Sequence, residues 1–164
     1  ALLQKNDSGS SSQSTALTSK TSKEAKKKVG AHGMGGVGKT TIAAALVQDR
    51  EVQTAFEKIV WVSVSQEPDL RELQDSIFFQ IRGENFPDSV MQDNEALKAI
   101  RDAAKGCKLL LVLDDVWDAK HEKPLNCIDP ETKSRVLVTT RVSVCFVSRS
   151  IWIAFSNRNF YAVR

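Results

Sequence analysis

One glycine-rich run constrains the fold of this chain more than any other feature, because its pattern connects a strand to a helix. It follows G-x-x-x-x-G-K-[ST], and its residues are Gly33, Met34, Gly35, Gly36, Val37, Gly38, Lys39, Thr40 and Thr41. A strand-like segment precedes the run and a helix-like segment follows it, which is the context that this motif needs. Glycines allow backbone conformations closed to other residues, so that successive N–H groups can form a concave anion site. The run therefore predicts a loop that binds the phosphates of a nucleotide.

Three side chains of this loop have distinct roles in the interpretation. Lys39 would reach the β- and γ-phosphates, the Thr40 hydroxyl would hold Mg²⁺, and Thr41 would donate near the α-phosphate. The positive end of the following helix adds to the attraction for an anion. The alternative is a glycine-rich turn that binds nothing.

The second part of such a site is an acid at the end of a buried strand. Leu109–Leu113 is five apolar residues in a row, which is typical of a parallel strand buried on both faces. Asp114 and Asp115 follow it directly. We expect Asp114 to hold Mg²⁺ and Asp115 to be the catalytic residue that polarises an attacking water, if hydrolysis occurs. The alternative is that the two acids form a helix cap or a turn.

From Val29 onward the chain alternates strand and helix patterns. The predicted strands are Lys28–His32, Ile59–Val64, Leu109–Leu113 and Arg135–Thr140. The predicted helices are Lys39–Arg50, in which Ile42, Ala45 and Leu46 share a face, a segment with Pro68 in its first turn that reaches Gly83, and a segment from Asp93 or Asn94 to Gly106. Strands separated by helices predict an α/β fold with a parallel sheet.

Charge and composition divide the chain into three parts. The segment before Val29 has six lysines and two acidic residues, a net charge of +4 against +3 for the whole chain. We expect residues 1–28, rich in Ser, Thr and Lys, to be a disordered linker, since they have too little apolar surface to offset their ordering entropy. Residues 29–141 are the predicted nucleotide-binding domain, and residues 142–164 a divergent C-terminal tail. The near-neutral remainder argues against a basic face for specific nucleic-acid binding.

Two other classes of protein are disfavoured. The chain has no apolar run of about 18 residues, so we expect no membrane span, and nothing at its start predicts a secretory signal. Cys107, Cys127 and Cys145 form no C-x-x-C pair, so they predict neither a disulfide framework nor a zinc site. Reduced thiols in a cytoplasmic protein are the simplest interpretation.

Three families of nucleotide-binding proteins contain a loop of this kind. Guanine-specific switches need an Asn/Thr-Lys-x-Asp motif that the chain lacks, and MinD/ParA-like ATPases carry a signature lysine where the chain has Met34. The sequence resembles the NB-ARC module of plant resistance proteins and apoptosome scaffolds, in four stretches that occur in the expected order. These are Gly33–Thr41 (GMGGVGKTT), Phe56–Gln66 (FEKIVWVSVSQ), Lys108–Asp118 (KLLLVLDDVWD) and Ser134–Arg141 (SRVLVTTR).

The resemblance implies a three-layer P-loop NTPase sandwich, with the Arg135–Thr140 strand between the loop strand and the Asp114 strand. It implies that Arg141 binds the nucleotide and senses its γ-phosphate, since a guanidinium gains a charge-assisted contact only when a third phosphate is present. The implied function is an ADP/ATP-binding signalling switch with Mg²⁺, at most a slow ATPase, within a cytoplasmic disease-resistance receptor that has other domains or protein partners. The alternatives are a stand-alone P-loop ATPase and a truncated remnant with weak or no nucleotide binding.

After Arg141 the resemblance stops. Members of the family continue into a fifth strand and two helical subdomains, which carry a Gly-x-Pro turn and a Met-His-Asp motif, and neither motif occurs here. We therefore expect the fifth strand and the helical subdomains to be absent. Residues 142–164 are either a substitute strand or, in the interpretation we favour, sequence from a truncated or misannotated reading frame.

Overall fold

The computed structural model describes residues 28–87 and 93–142, together with the backbone of 151–156 and 159–163. The strands in this part of the chain are β1 (Lys28–Gly33), β2 (Lys58–Ser63), β3 (Leu109–Val116), β4 (Arg135–Thr140), β5 (Ile151–Ser156) and β6 (Asn159–Val163). The helices are α1 (Lys39–Gln48), α2 (Arg50–Ala55), α3 (Leu70–Arg82), α4 (Asp93–Ala104) and α5 (Glu122–Leu125), and a 3₁₀ turn, Ala119–His121, precedes α5.

One sheet contains these strands in the order β2-β3-β4-β1-β5-β6. The first five pair in parallel, and β6 pairs antiparallel with β5. The predicted place of β4, between β1 and β3, is confirmed. Because parallel strands end at the same edge of a sheet, the segments that follow β1, β3 and β4 lie side by side, which is where ligands bind in open α/β sheets.

Helices cover both faces of this sheet. Ile77 of α3 and Ile100 of α4 pack on one face, against apolar side chains of β2, β3 and β4. Ala43 of α1 packs on the other face, with Leu110 and Leu137. Residues 109–114 of β3 are all buried because layers lie on both sides, which explains the uninterrupted apolar run. The predicted α/β class with a parallel P-loop sheet is confirmed.

Several predicted bounds are close to the observed ones. β4 has the predicted bounds, β1 ends one residue later than predicted, and β2 lies one residue earlier. The third helix, for which we expected Asp93 or Asn94 as the cap, runs from Asp93 to Ala104, and the second reaches Arg82 with Gly83 as its C-cap in the left-handed conformation. β3 runs three residues beyond the predicted Leu113, so Asp114 and Asp115 belong to the strand.

The first helix is shorter than predicted. It ends at Gln48, and the backbone of Asp49 is extended. The Asp49 side chain accepts from the N–H groups of Glu51 and Val52 and so caps a separate helix, α2. The predicted common face is not the packed one, since Ile42 and Leu46 are 38% and 41% exposed while Ala43 is buried.

The second helix begins later than predicted. Asp69 is its N-cap and accepts from the N–H groups of Arg71 and Glu72, so helix α3 starts at Leu70. Pro68 therefore precedes the helix instead of occupying its first turn. The Asp69 carboxylate accepts from two N–H groups of the first turn, and this cap sets the start of the helix one residue after Asp69.

The expected absence of a fifth strand is wrong. β5 pairs in parallel with β1, with Gly30 opposite Trp152 and Gly33 opposite Phe155. The segment IWIAFS is rich in β-branched and aromatic residues, which favour strands, and without it β1 would present an unpaired edge. The structure thus has the substitute strand, the interpretation that we did not favour. The predicted linker falls almost wholly on residues 1–27, and much of the predicted tail on 143–150, all outside the described residues.

The two faces of α3 give a test of this packing. Ile77 has no exposed surface, so Ile77→Ala should lower the free energy of unfolding by about 2–5 kcal/mol. Phe79→Ala on the same helix is the matched control, because Phe79 is 52% exposed and its truncation should cost about 0.5 kcal/mol or less. Urea denaturation measures both, and equal losses would contradict the assigned orientation of α3.

Candidate functional site

The glycine-rich loop connects the end of β1 to the start of α1. Gly36 and Gly38 have φ angles of 79° and 91°, in the left-handed region that favours glycine. Gly38 is the N-cap of α1, and its carbonyl accepts from the N–H of Ile42 at 2.9 Å. The first N–H groups of α1 have no partner within the helix, and the positive end of its dipole lies at the loop. The loop is therefore built as an anion site.

Lys39 lies folded back over this loop. Its side chain is buried, and Nζ donates to the carbonyl oxygens of Gly33 and Met34, each at 2.7 Å. Burial lowers the pKa of Lys39, the charge of Arg141 lowers it further, and Asp115 and Asp114 act in the opposite direction. Lys39 therefore lies close enough to Arg141 for the two positive charges to repel each other, and close enough to two carboxylates to be attracted by them.

One carboxylate oxygen of Asp114 accepts hydrogen bonds from two hydroxyl groups. Oδ1 accepts from Thr40 Oγ1 at 3.0 Å and also from Thr139 Oγ1, and the residue is only 5% exposed. Thr40 belongs to α1 and Thr139 to β4, so this carboxylate joins three elements. The two donors offset the loss of hydration that burial imposes on this polar group.

Asp115 stands in a bulge of β3. Leu113 pairs with Val138 and Val116 with Thr140, so Asp114 and Asp115 together lie opposite the single residue Thr139. Asp115 has a φ of 55°, uncommon outside glycine. Its N–H donates to Thr139 Oγ1 at 2.9 Å, which ties the bulge to β4.

Two side chains hold the carboxylate of Asp115. Trp117 Nε1 donates to its Oδ2 at 3.1 Å, and Arg141 Nε to its Oδ1 at 2.9 Å. The Arg141 guanidinium also lies 5.3 Å from the centre of a Trp117 ring, within cation–π range. The side chains of Arg141 and Asp115 are 45% and 30% exposed, so the ion pair itself contributes about 1 kcal/mol or less to stability.

Arg141 lies directly against the loop. A Cβ placed on Gly35 would approach its Nη1 to 3.3 Å, a tight contact. Glycine at this position therefore leaves room for the guanidinium beside the phosphate loop. Nearby, burial lowers the pKa of His32 below its ordinary value, a hydrogen bond with the backbone of Arg141 acts in the opposite direction, and the Lys39 charge lowers the pKa further.

The structure brings together most of the residues that the sequence predicted for the site. Lys39, Thr40, Asp114, Asp115 and Arg141 all lie around the loop and contact one another or its backbone. Met34 is 75% exposed and Thr41 is also exposed, and no contact of the described residues ties either to the acids.

Sequence reasoning missed two residues that organise the acids. Thr139 was included only as part of a strand, and Trp117 only as part of the stretch Lys108–Asp118. A threonine in a buried strand is an ordinary β-former, so the only available signal was its position in the Thr-Thr-Arg run.

The Thr40 hydroxyl and the Asp114 carboxylate fit a magnesium ion. Mg²⁺ prefers oxygen ligands and is commonly held by one or two carboxylates together with the phosphates of a bound nucleotide. Among the described residues there is no group of three or more His, Cys, Asp or Glu side chains that could hold a metal alone. The donor set thus fits a metal that shares its ligands with phosphate.

A comparison with known protein families agrees with this geometry. The profile of the NB-ARC domain matches residues 12–152. The chain belongs to the NB-ARC family. This NB-ARC chain is 35% identical to Disease resistance RPP13-like protein 4 of Arabidopsis thaliana over 112 residues, which cover 66% of this chain and 13% of that protein. It is 33% identical to the late blight resistance protein homolog R1B-19 of Solanum demissum over 115 residues, 69% of this chain and 9% of that protein.

Solved structures support the fold of the NB-ARC chain. A chain in the structure of Drosophila ORC bound to AT-rich DNA and Cdc6 matches with a TM-score of 0.56 at 12% identity, over 84% of this chain and 51% of that one. A chain in the structure of Drosophila ORC bound to DNA matches with a TM-score of 0.51 at 14% identity, over 84% of each chain. At these identities the likeness concerns the fold alone. Within the described part of the NB-ARC chain, no helix has the length and apolar character of a membrane span.

Proposed function

We propose that this NB-ARC chain binds ADP or ATP with Mg²⁺ and acts as the nucleotide switch of a disease-resistance receptor. The observation that carries the proposal is the convergence of Lys39 and Arg141 on a glycine-rich loop at a helix N-terminus. An anion placed between the two cations would reduce their repulsion and accept from the loop N–H groups. A di- or triphosphate chain supplies such an anion.

Each side chain at the loop has a place in this proposal. Lys39 would exchange its two carbonyl acceptors for phosphate oxygens, a stronger charge-assisted contact. Thr40 and Asp114 would hold Mg²⁺, which when bound neutralises phosphate charge. The remaining loop residues, Gly33 to Thr41, would contribute mainly backbone donors.

Arg141 is the proposed sensor of the γ-phosphate. Its guanidinium lies beside Gly35 and pairs with Asp115. A γ-phosphate at the loop would compete with Asp115 for this guanidinium, since both are oxygen anions that suit its planar donors. Exchange of partners would give the ATP-bound and ADP-bound states different contacts, which is the requirement for a nucleotide-driven population shift.

The wider setting is also part of the proposal. The chain spans only 13% and 9% of the two relatives described above. We infer that it corresponds to the nucleotide-binding portion of a larger cytoplasmic receptor. The linker would end before β1, and the nucleotide-binding domain would begin at Lys28 and include β5, which lies within the predicted tail 142–164. Signalling would then depend on domains or protein partners beyond this segment.

A stand-alone ATPase is the second candidate, and the position of Asp115 favours it. This carboxylate adjoins the loop and could polarise a water. Its two oxygens are already engaged by Trp117 and Arg141, so we expect hydrolysis to be slow. Steady-state turnover that is appreciable in the purified protein and lost in Asp115→Asn would favour the enzyme over the switch.

Lys39→Ala tests whether the loop binds nucleotide. Removal of the ammonium should weaken ADP binding by about 100-fold, because two charge-assisted hydrogen bonds are lost. Lys58→Ala is the matched control, since Lys58 Nζ also donates to a carbonyl, that of Ile81 at 2.6 Å, but lies away from the loop. Equilibrium binding of fluorescent ADP measures both.

Two results of that titration would count against the switch. Unchanged ADP affinity in Lys39→Ala would contradict the assigned site. No binding by the parent protein would favour the remnant without nucleotide binding. Circular dichroism of each variant separates loss of a contact from loss of the fold.

Arg141→Ala tests the sensor. The variant should bind ATP about 10- to 100-fold more weakly, the value of one charge-assisted contact, and should keep its affinity for ADP. Arg135→Ala is the matched control, because Arg135 is the first residue of β4, the strand that Arg141 follows. Within the described part of the chain, Arg135 Nη1 donates only to backbone carbonyls, those of Lys133 and Ser134. Calorimetric titration with each nucleotide gives the ratio, and equal losses for ATP and ADP would argue against a sensor.

A further inference from the structure

Thr139 is the residue through which β4 contacts both acids. It is 1% exposed, its hydroxyl donates to Asp114 Oδ1, and the same oxygen accepts from the N–H of Asp115 at 2.9 Å. The bulge of β3 places two residues opposite this one. A single hydroxyl thus fixes both carboxylate-bearing residues.

The direction of these two hydrogen bonds is set by chemistry. A backbone N–H can only donate, so the Thr139 oxygen must accept from Asp115. An ionised carboxylate can only accept, so the hydroxyl proton must point to Asp114. The Thr139 hydroxyl therefore donates to Asp114 and accepts from Asp115, which fixes the position of both residues.

Thr139 also holds an unusual backbone. Asp115 has its φ of 55° at the point where the ladder between β3 and β4 is interrupted. Its N–H is bonded to the Thr139 side chain instead of to a strand carbonyl. Loss of that acceptor would leave the partly buried N–H of Asp115 without a hydrogen bond. It would also remove the contact that holds the turn in which Asp115 faces Arg141.

We propose that Thr139 is a positioning residue for the metal that the nucleotide site uses. It orients the carboxylate of Asp114, and through the bulge it sets Asp115 beside the loop. This inference rests on the proposed nucleotide function, and it assigns Thr139 no contact with the nucleotide itself.

The neighbouring threonine provides a matched control. Thr140 is fully buried on the same strand, and its Oγ1 accepts from the N–H of Val142 at 3.0 Å. Both hydrogen bonds of the Thr140 hydroxyl are with the backbone of Val142, and neither reaches Asp114 or Asp115. Thr139→Val and Thr140→Val therefore remove equivalent hydroxyls with equal change of volume, one bonded to the acids and one not.

The experiment is titration calorimetry of ADP into the full chain, once with Mg²⁺ and once with EDTA. The ratio of the two affinities is the Mg²⁺-dependent gain. In Thr139→Val this gain should fall by about 10- to 100-fold, the usual effect of removing a group that orients a metal ligand, while the affinity in EDTA stays unchanged. Thr139→Ser should restore it, and Thr140→Val should retain it.

The outcomes separate this inference from the function on which it rests. A normal Mg²⁺-dependent gain in a folded Thr139→Val, or an equal loss in Thr140→Val, would overturn the role of Thr139 and leave the nucleotide site intact. If Thr139→Val does not fold, failure of Thr139→Ser to restore the gain overturns it instead. Absence of ADP binding by the parent protein would overturn both.

Discussion

The contact between two hydroxyls and the carboxylate of Asp114 connects every element of the site. Thr40 comes from α1 and Thr139 from β4, and both donate to one buried oxygen on β3. The contact is possible because β4 lies between β1 and β3 in a parallel sheet, so that the carboxyl ends of the three strands meet. This strand order also explains why the loop, the two acids and Arg141 lie next to one another.

The charges around the loop are arranged for an anion. Lys39 is buried near a second cation, Arg141, whose charge lowers the pKa of Lys39, while Asp114 and Asp115 act in the opposite direction. The partly exposed pair of Asp115 with Arg141 adds little to stability. Its value in the proposed switch is that it can be exchanged at low cost, since a γ-phosphate offers Arg141 an equivalent partner.

The fold could be predicted from sequence where local pattern decides it, and less well where distant residues decide it. The run Leu109–Leu113 and the loop glycines predicted their structures directly. The helix break at Asp49 depends on a side-chain cap that lies inside a helical sequence pattern. The pairing of β5 depends on the free edge of β1, and no local sequence pattern reveals that edge. The role of Thr139 depends on a bulge in the preceding strand, β3, at a residue 24 positions earlier in the sequence, so the threonine looked like any strand former.

Amide hydrogen exchange of the full chain with and without Mg-ADP tests the central claim most directly, because the claim is that loop N–H groups bind phosphate. The account predicts slower exchange across residues 35–41 on addition of Mg-ADP, with little change in α3 on the other side of the sheet. Unchanged exchange in the loop at millimolar Mg-ADP would contradict it.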